Sequence, residues 1–320
     1  MQARRRNLQV FILLSLIPLL CIFLVTRLKA STGPPQIAAA GEYAGSEACK
    51  VCHQDQYERF RQTKMGKVIL HNPRSDLEAK GCEACHGPGR AHVDSRGGKD
   101  LIIRFGDHST VPKDLQQEQC LQCHEKGARL FWKGSTHESR GVTCLTCHRV
   151  MGETAAPSRF AEPLSSVREF PTSTKMEVCF QCHQMRRAQL QRSSHMPFRE
   201  GKITCTNCHN PHGGPNPKLL LASSVNETCY TCHAERRGPF LWEHPPVLEN
   251  CLNCHEAHGS SNPQLLKVRT PRLCQRCHIE SRHPTTPQLA TTRFAFNRGC
   301  TNCHSQIHGS NHPSGARFHR

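Results

Sequence analysis

Apolar residues are concentrated in one stretch near the N-terminus, an almost uncharged run over residues 10–25. Three arginines at 4–6 precede this run, and small residues follow it, with three alanines at 38–40. A basic segment, an apolar segment and a small-residue site in this order predict a signal peptide over residues 1–40. The run is slightly long for a signal peptide and slightly short for a bilayer span, so a retained anchor is the alternative.

The remainder of the chain lacks the long periods of apolar residues that amphipathic helices or strands show. Stretches rich in Gly, Pro and Ser recur, as in 210–217, aromatic side chains make up only 6% of the chain, and the mean hydropathy is −0.57. This pattern predicts mostly irregular loops with short α-helices and little or no sheet.

The cysteines indicate the chemistry. Twenty of the 21 lie in ten copies of Cys-x-x-Cys-His, and the remaining one, Cys21, lies in the apolar run. Positions i, i+3 and i+4 share one face of a helical turn, so two sulfurs and one imidazole can reach the same porphyrin. The motif predicts c-type haem attachment. Zinc sites also use Cys-x-x-Cys, but a histidine after every copy favours ten haem c groups.

The motifs give the predicted attachment residues and proximal iron ligands. The attachment cysteines are Cys49, Cys52, Cys82, Cys85, Cys120, Cys123, Cys144, Cys147, Cys179, Cys182, Cys205, Cys208, Cys229, Cys232, Cys251, Cys254, Cys274, Cys277, Cys300 and Cys303. The proximal ligands are His53, His86, His124, His148, His183, His209, His233, His255, His278 and His304.

The motifs also form an internal repeat of five two-haem units. The units begin at Cys49, Cys120, Cys179, Cys229 and Cys274. In the third and fourth units the second motif continues as Cys-His-x-x-His-Gly, and in all five units a further histidine precedes that motif.

Histidines at these repeated positions are candidates for the sixth, distal iron ligand. Nine fit the repeat: His71, His137, His195, His244 and His283 before the second motifs, and His92, His212, His258 and His308 after them. The second unit departs from the pattern, because Met151 stands where the third and fourth units have histidine. Either Met151 is a ligand, which would raise the potential of that haem, or His108 supplies the tenth imidazole. We favour His108. The tail histidines His312 and His319 are not expected to be ligands.

The formal charge of +17 does not indicate nucleic-acid binding. Cleavage after Ala40 removes five basic residues, which leaves +12. Twenty haem propionates then bring the total to about +2 with every iron ferric and about −8 with every iron ferrous. The chain also lacks a basic helix or an aromatic-rich strand pattern that would bind nucleic acid.

Ten haems leave too little protein in residues 41–320 to enclose each haem separately. We therefore expect a row of packed haems to form the core. With about ten distal ligands available for ten irons, no iron is left open for a substrate. This favours an electron carrier over an enzyme.

Two segments carry a family resemblance: HMPFREGKITCTNCHNPHG at 195–213 and CHSQIHGSNHPSG at 303–315. With ten motifs in this order, the chain resembles the periplasmic decahaem cytochromes of the MtrA/DmsE type over essentially its whole mature length. Met151 departs from the ligand pattern of that family.

The resemblance implies two pentahaem halves, 41–198 and 199–320, and bis-histidine ligation. It implies a periplasmic protein at the outer membrane, held inside an outer-membrane β-barrel. Its partners would be a periplasmic or inner-membrane cytochrome donor and an extracellular multihaem cytochrome or terminal reductase. Alternatives are a multihaem reductase, a periplasmic electron shuttle or store, and a quinol dehydrogenase with a retained anchor.

Overall fold

The computed structural model of the chain describes residues 41–151, 172–279, 299–313 and 315–319. The predicted signal peptide and His283 lie outside these ranges. Among the described residues, no helix is both long enough and apolar enough to cross a bilayer.

Short helices account for nearly all of the regular structure. The α-helices are α1 Ser46–Cys52, α2 Gln54–Gln62, α3 Lys64–Gly66, α4 Glu83–His86, α5 Arg90–Asp94, α6 Lys113–His124, α7 Cys144–Cys147, α8 Thr172–Phe180, α9 Gln184–Leu190, α10 Val225–Tyr230, α11 Pro245–Glu249 and α12 Arg272–Gln275. One π-turn spans Lys67–His71. The 3₁₀ turns are Glu78–Lys80, Lys99–Leu101, Gly127–Arg129, Glu138–Arg140, Cys205–Asn207, Ala234–Arg236, Cys251–Asn253, Pro263–Leu265, Cys300–Asn302 and Gly315–Arg317.

The described ranges contain isolated β-bridges but no β-strand. Four such bridges occur: Ser194–Ser260, His209–Leu220, Trp242–Ser310 and His255–Leu266. The predicted fold class, short helices in mostly irregular loops, is confirmed.

Polar residues next to the cysteines start the turns that carry several motifs. Thr143 and Thr204 each form a capping box with the residue three positions later. The Asn250 side chain accepts a hydrogen bond from the Leu252 N–H. Each cap satisfies a backbone N–H that a short helix leaves without a partner. The caps therefore stabilise turns that are too short to be stable alone.

Side chains form only a small apolar interior. The largest cluster joins Met176, Phe180, Leu190 and Phe198, around helices α8 and α9. All twenty motif cysteines are half-buried or exposed. Side chains of the described residues therefore do not bury the motifs in a protein core, as expected where haem supplies the core.

Successive two-haem units contact each other through their backbones. Ser194 and Ser260 exchange two backbone hydrogen bonds of 2.8 and 2.7 Å between the third and fourth units. Next to this bridge, Gly259 has φ +122°, and a Cβ there would lie 2.2 Å from the Gln189 carbonyl oxygen. Only glycine permits this approach of one unit to the next.

Candidate haem sites

Each Cys-x-x-Cys-His motif forms a single helical turn. In nine motifs the backbone N–H of the histidine donates to the carbonyl of the first cysteine, at 2.9–3.2 Å. The tenth, with His124, ends helix α6. This turn places the two sulfurs and the imidazole on one face, as haem attachment requires.

Six proximal histidines face a second imidazole across a gap. The pairs are His53–His92, His137–His183, His148–His212, His209–His258, His244–His278 and His255–His308. Their ring centroids are 5.9–6.3 Å apart, beyond direct stacking contact. Two metal–imidazole bonds of about 2 Å on opposite sides of one ion would separate the ring centroids by about 6 Å. The spacing therefore fits an iron between each pair.

Most of these pairs join different units of the repeat. His137 and His244 precede a second motif and face the first motif of the following unit. In the other direction, His212, His258 and His308 face the second motif of the preceding unit. The exception is His92, which faces His53 of its own unit.

Backbone carbonyls orient many of the imidazoles through Nδ1. His86 Nδ1 lies 2.7 Å from the Ile103 carbonyl, His137 Nδ1 2.8 Å from that of Pro211, and His244 Nδ1 3.0 Å from that of Ile307. A carbonyl can only accept, so Nδ1 carries the proton and Nε2 is left with a free lone pair for a metal. Burial also lowers the pKa of His212 and of His308 to about 4, which keeps both imidazoles neutral.

The other predicted distal ligands lie outside these six pairs. His71 and His108 are exposed, and His195 is half-buried with Nδ1 against the Met196 carbonyl. Met151 is 41% exposed, and its neighbour His148 faces His212 instead.

Electrostatic interactions between cysteine side chains link the motifs in sequence order. Within each unit the first cysteines of the two motifs interact: Cys49–Cys82, Cys120–Cys144, Cys179–Cys205, Cys229–Cys251 and Cys274–Cys300. Between units, the second cysteines lie close enough for their charges to interact: Cys85–Cys123, Cys147–Cys182, Cys208–Cys232 and Cys254–Cys277. The hydrogen bond with Cys49 lowers the pKa of the Cys82 thiol to about 6. Every motif is thus next to the one before it.

Two arginines with buried Nε atoms also fit a haem. The Nε atoms of Arg59 and Arg104 are buried without a hydrogen-bond partner in the described part of the protein. A buried donor normally has a partner, and carboxylates are the strongest partners of a guanidinium. Haem propionates would supply such carboxylates. Neither residue could be predicted from the sequence, because nothing in the pattern distinguishes them among 42 Lys and Arg side chains.

Helical Cys-x-x-Cys-His turns, paired imidazoles and an ordered row of motifs define a multihaem c-type cytochrome. Comparison with known proteins agrees. Residues 195–238 and 244–283 match the family described as a doubled CXXCH motif, and residues 82–163 match that of NrfB-like c-type cytochromes.

Two relatives identify the family more closely. The chain is 42% identical to the multihaem cytochrome MtrA of Shewanella baltica over 293 residues, 88% of this chain and 84% of the relative. It is 28% identical to cytochrome c-554 of Nitrosomonas europaea over 115 residues, 33% of this chain and 47% of the relative. The chain belongs to the MtrA family of multihaem cytochromes. It carries haem c, as predicted, and it is an electron-transfer cytochrome.

Proposed function

We propose that the protein relays electrons across the outer membrane through ten haem c groups arranged in the order of their motifs. The hydrogen bonds and charge interactions between cysteines of successive motifs support this order. Haem c supplies the reversible Fe(III)/Fe(II) couple when it is bound. The two cysteines of each motif would hold a haem by thioethers, and the motif histidine and a second imidazole would bind its iron.

We further propose that two histidines bind every iron. The single observation that carries this ligation is the set of six imidazole pairs, whose ring centroids lie about 6 Å apart. The repeat predicts two further pairs in the same way. His71 would be the distal ligand of the haem at His124, and His195 would be that of the haem at His233. His108 and His283 would then complete the sites of His86 and His304. An iron with two imidazole ligands has no vacant position for a substrate, which favours conduction over reduction of a bound molecule.

The proposed location is the periplasm, inside an outer-membrane β-barrel. The family and the signal-peptide pattern support this location. The hydrocarbon layer is about 30 Å thick and excludes irregular polar backbone unless other protein shields it. A protein built mostly of loops would need such a shield. Electrons would arrive from a periplasmic or inner-membrane cytochrome and leave to an extracellular multihaem cytochrome or terminal reductase, or pass in reverse.

Two measurements test this function. Electron paramagnetic resonance of the oxidised protein should show low-spin, bis-imidazole signals for essentially all ten irons, and added cyanide should leave them unchanged. The protein should also co-purify with a β-barrel in the outer-membrane fraction. A substantial high-spin population that binds cyanide would instead indicate a reductase. Recovery in the periplasmic fraction alone would indicate a shuttle.

A further inference from the structure

Glu83 is a buried acid inside the second haem-attachment motif. Its residue is only 3% exposed, and it follows Cys82 directly. None of the other nine motifs has Asp or Glu between its two cysteines. This position therefore differs from all of its counterparts in the repeat.

Three backbone N–H groups hold the Glu83 carboxylate. Oε1 accepts from Ala44 at 2.8 Å and from Gly89 at 2.7 Å, and Oε2 accepts from Gly45 at 2.8 Å. Among the ion pairs of the described residues, none involves Glu83. Backbone N–H dipoles, rather than a cationic side chain, thus satisfy both carboxylate oxygens.

The carboxylate lies between the first and second haem sites. Ala44 and Gly45 immediately precede helix α1, which carries the first motif. Beside the Glu83 contacts, the Cys82 N–H donates to Ser46 Oγ at 3.0 Å. The hydrogen bond with Cys82 and burial are the main causes that raise the pKa of the Cys49 thiol, and the charge of Glu83 raises it further. Glu83 therefore lies close to the first motif.

We propose that Glu83 is a permanent buried negative charge that lowers the reduction potential of the second haem, at the N-terminal end of the row. A negative charge stabilises ferric over ferrous iron, because the ferric form carries one more positive charge, and burial limits screening by water. The inference rests on the proposed attachment of a haem at Cys82, Cys85 and His86.

The test is a spectroelectrochemical titration of the full ten-haem protein and of its Glu83→Gln variant. Glutamine keeps Oε1, which accepts two of the three hydrogen bonds, and removes the charge. We expect a shift to higher potential that is confined to one-tenth of the haem absorbance, or two-tenths if the first haem shares the charge. The rest of the titration should be unchanged. Haem content, measured as the pyridine haemochrome, should remain ten per chain.

Two variants serve as controls. Glu83→Asp keeps the charge and should leave the potentials near those of the wild type. Glu125→Gln removes an acid beside His124 whose side chain is 41% exposed, and water should screen this change. A Glu83→Gln variant with ten haems and no shift beyond that of Glu125→Gln would overturn the inference. An equal shift in Glu83→Asp would show that geometry rather than charge is responsible, and would overturn it too.

A second measurement applies if Glu83→Gln does not incorporate ten haems. Redox-difference infrared spectra of wild-type protein with ¹³C-labelled glutamate should show a carboxylate that responds to reduction at low potential, and no protonated buried carboxyl. A protonated carboxyl would contradict the inference. Fewer than ten haems in the wild-type protein would instead contradict the proposed function, whatever the charge of Glu83.

Discussion

His148 and His212 face each other with ring centroids 5.9 Å apart and ring planes 11° from parallel, although they belong to different two-haem units. His258 and His308 are placed in the same way against the preceding units. Under the proposed ligation, the third, fourth and fifth units each complete a haem site of the preceding unit. We therefore expect the folding of one unit to be coupled to haem binding in its neighbour, as in other repeat proteins stabilised by nearest-neighbour contacts.

Substitution of His212 should open one iron. In His212→Ala, the haem at His148 would lose its distal ligand, so we expect one-tenth of the irons to become high-spin and to bind cyanide. Electron paramagnetic resonance and cyanide titration measure this fraction. His312→Ala, in the tail, is the control and should leave all irons low-spin. A fully low-spin His212→Ala variant would contradict the assignment.

The unit that lacks the repeated histidine gives a second test. Because His148 already faces His212, we expect His108, rather than Met151, to complete the remaining site, opposite His86. His108→Ala should therefore produce one-tenth high-spin iron, whereas Met151→Leu should leave spin state and potentials unchanged. Near-infrared magnetic circular dichroism should show no methionine-ligated haem in the wild type. A methionine band that disappears in Met151→Leu would reverse this assignment.

Gly259 should be more sensitive to substitution than a glycine of similar φ that lies in open space. Alanine there would combine a positive φ with a Cβ 2.2 Å from the Gln189 carbonyl oxygen. The backbone strain alone costs about 1–3 kcal/mol, and the contact between units would have to separate as well. Gly97→Ala is the matched control, because Gly97 has φ +110° but open space around its Cβ position. Thermal unfolding of the haem-loaded protein should show a clearly larger loss for Gly259→Ala, and equal losses would argue against close packing of units.

Much of this arrangement could be predicted from the sequence. The motifs and the family determined the haem type, and the composition indicated a loop-rich fold. The sequence could not predict which histidines face each other. Positions close in sequence suggest ligands from the same unit, whereas His212 faces a histidine of the preceding unit. This pair also spans the predicted boundary at 198/199, so the division into two halves stays a prediction. Glu83 could have been singled out from the sequence, because it is the one acidic residue between the two cysteines of a motif.

The last prediction concerns Arg104. Removing its charge should shift a haem potential in the direction opposite to the shift expected when the Glu83 charge is removed. Its buried Nε has no protein partner, and its neighbours Ile103 and Phe105 both contact the His86 imidazole. If Arg104 binds a propionate of the second haem, Arg104→Gln would leave that carboxylate without its cation. The uncompensated negative charge would lower the potential of about one-tenth of the haem absorbance, and the lost charged hydrogen bond would cost about 1.5–3 kcal/mol of stability. Arg74→Gln, with a side chain 69% exposed and paired with Glu78, should change neither quantity measurably. An Arg104→Gln variant whose potentials and unfolding temperature match those of Arg74→Gln would show that the guanidinium has no propionate partner.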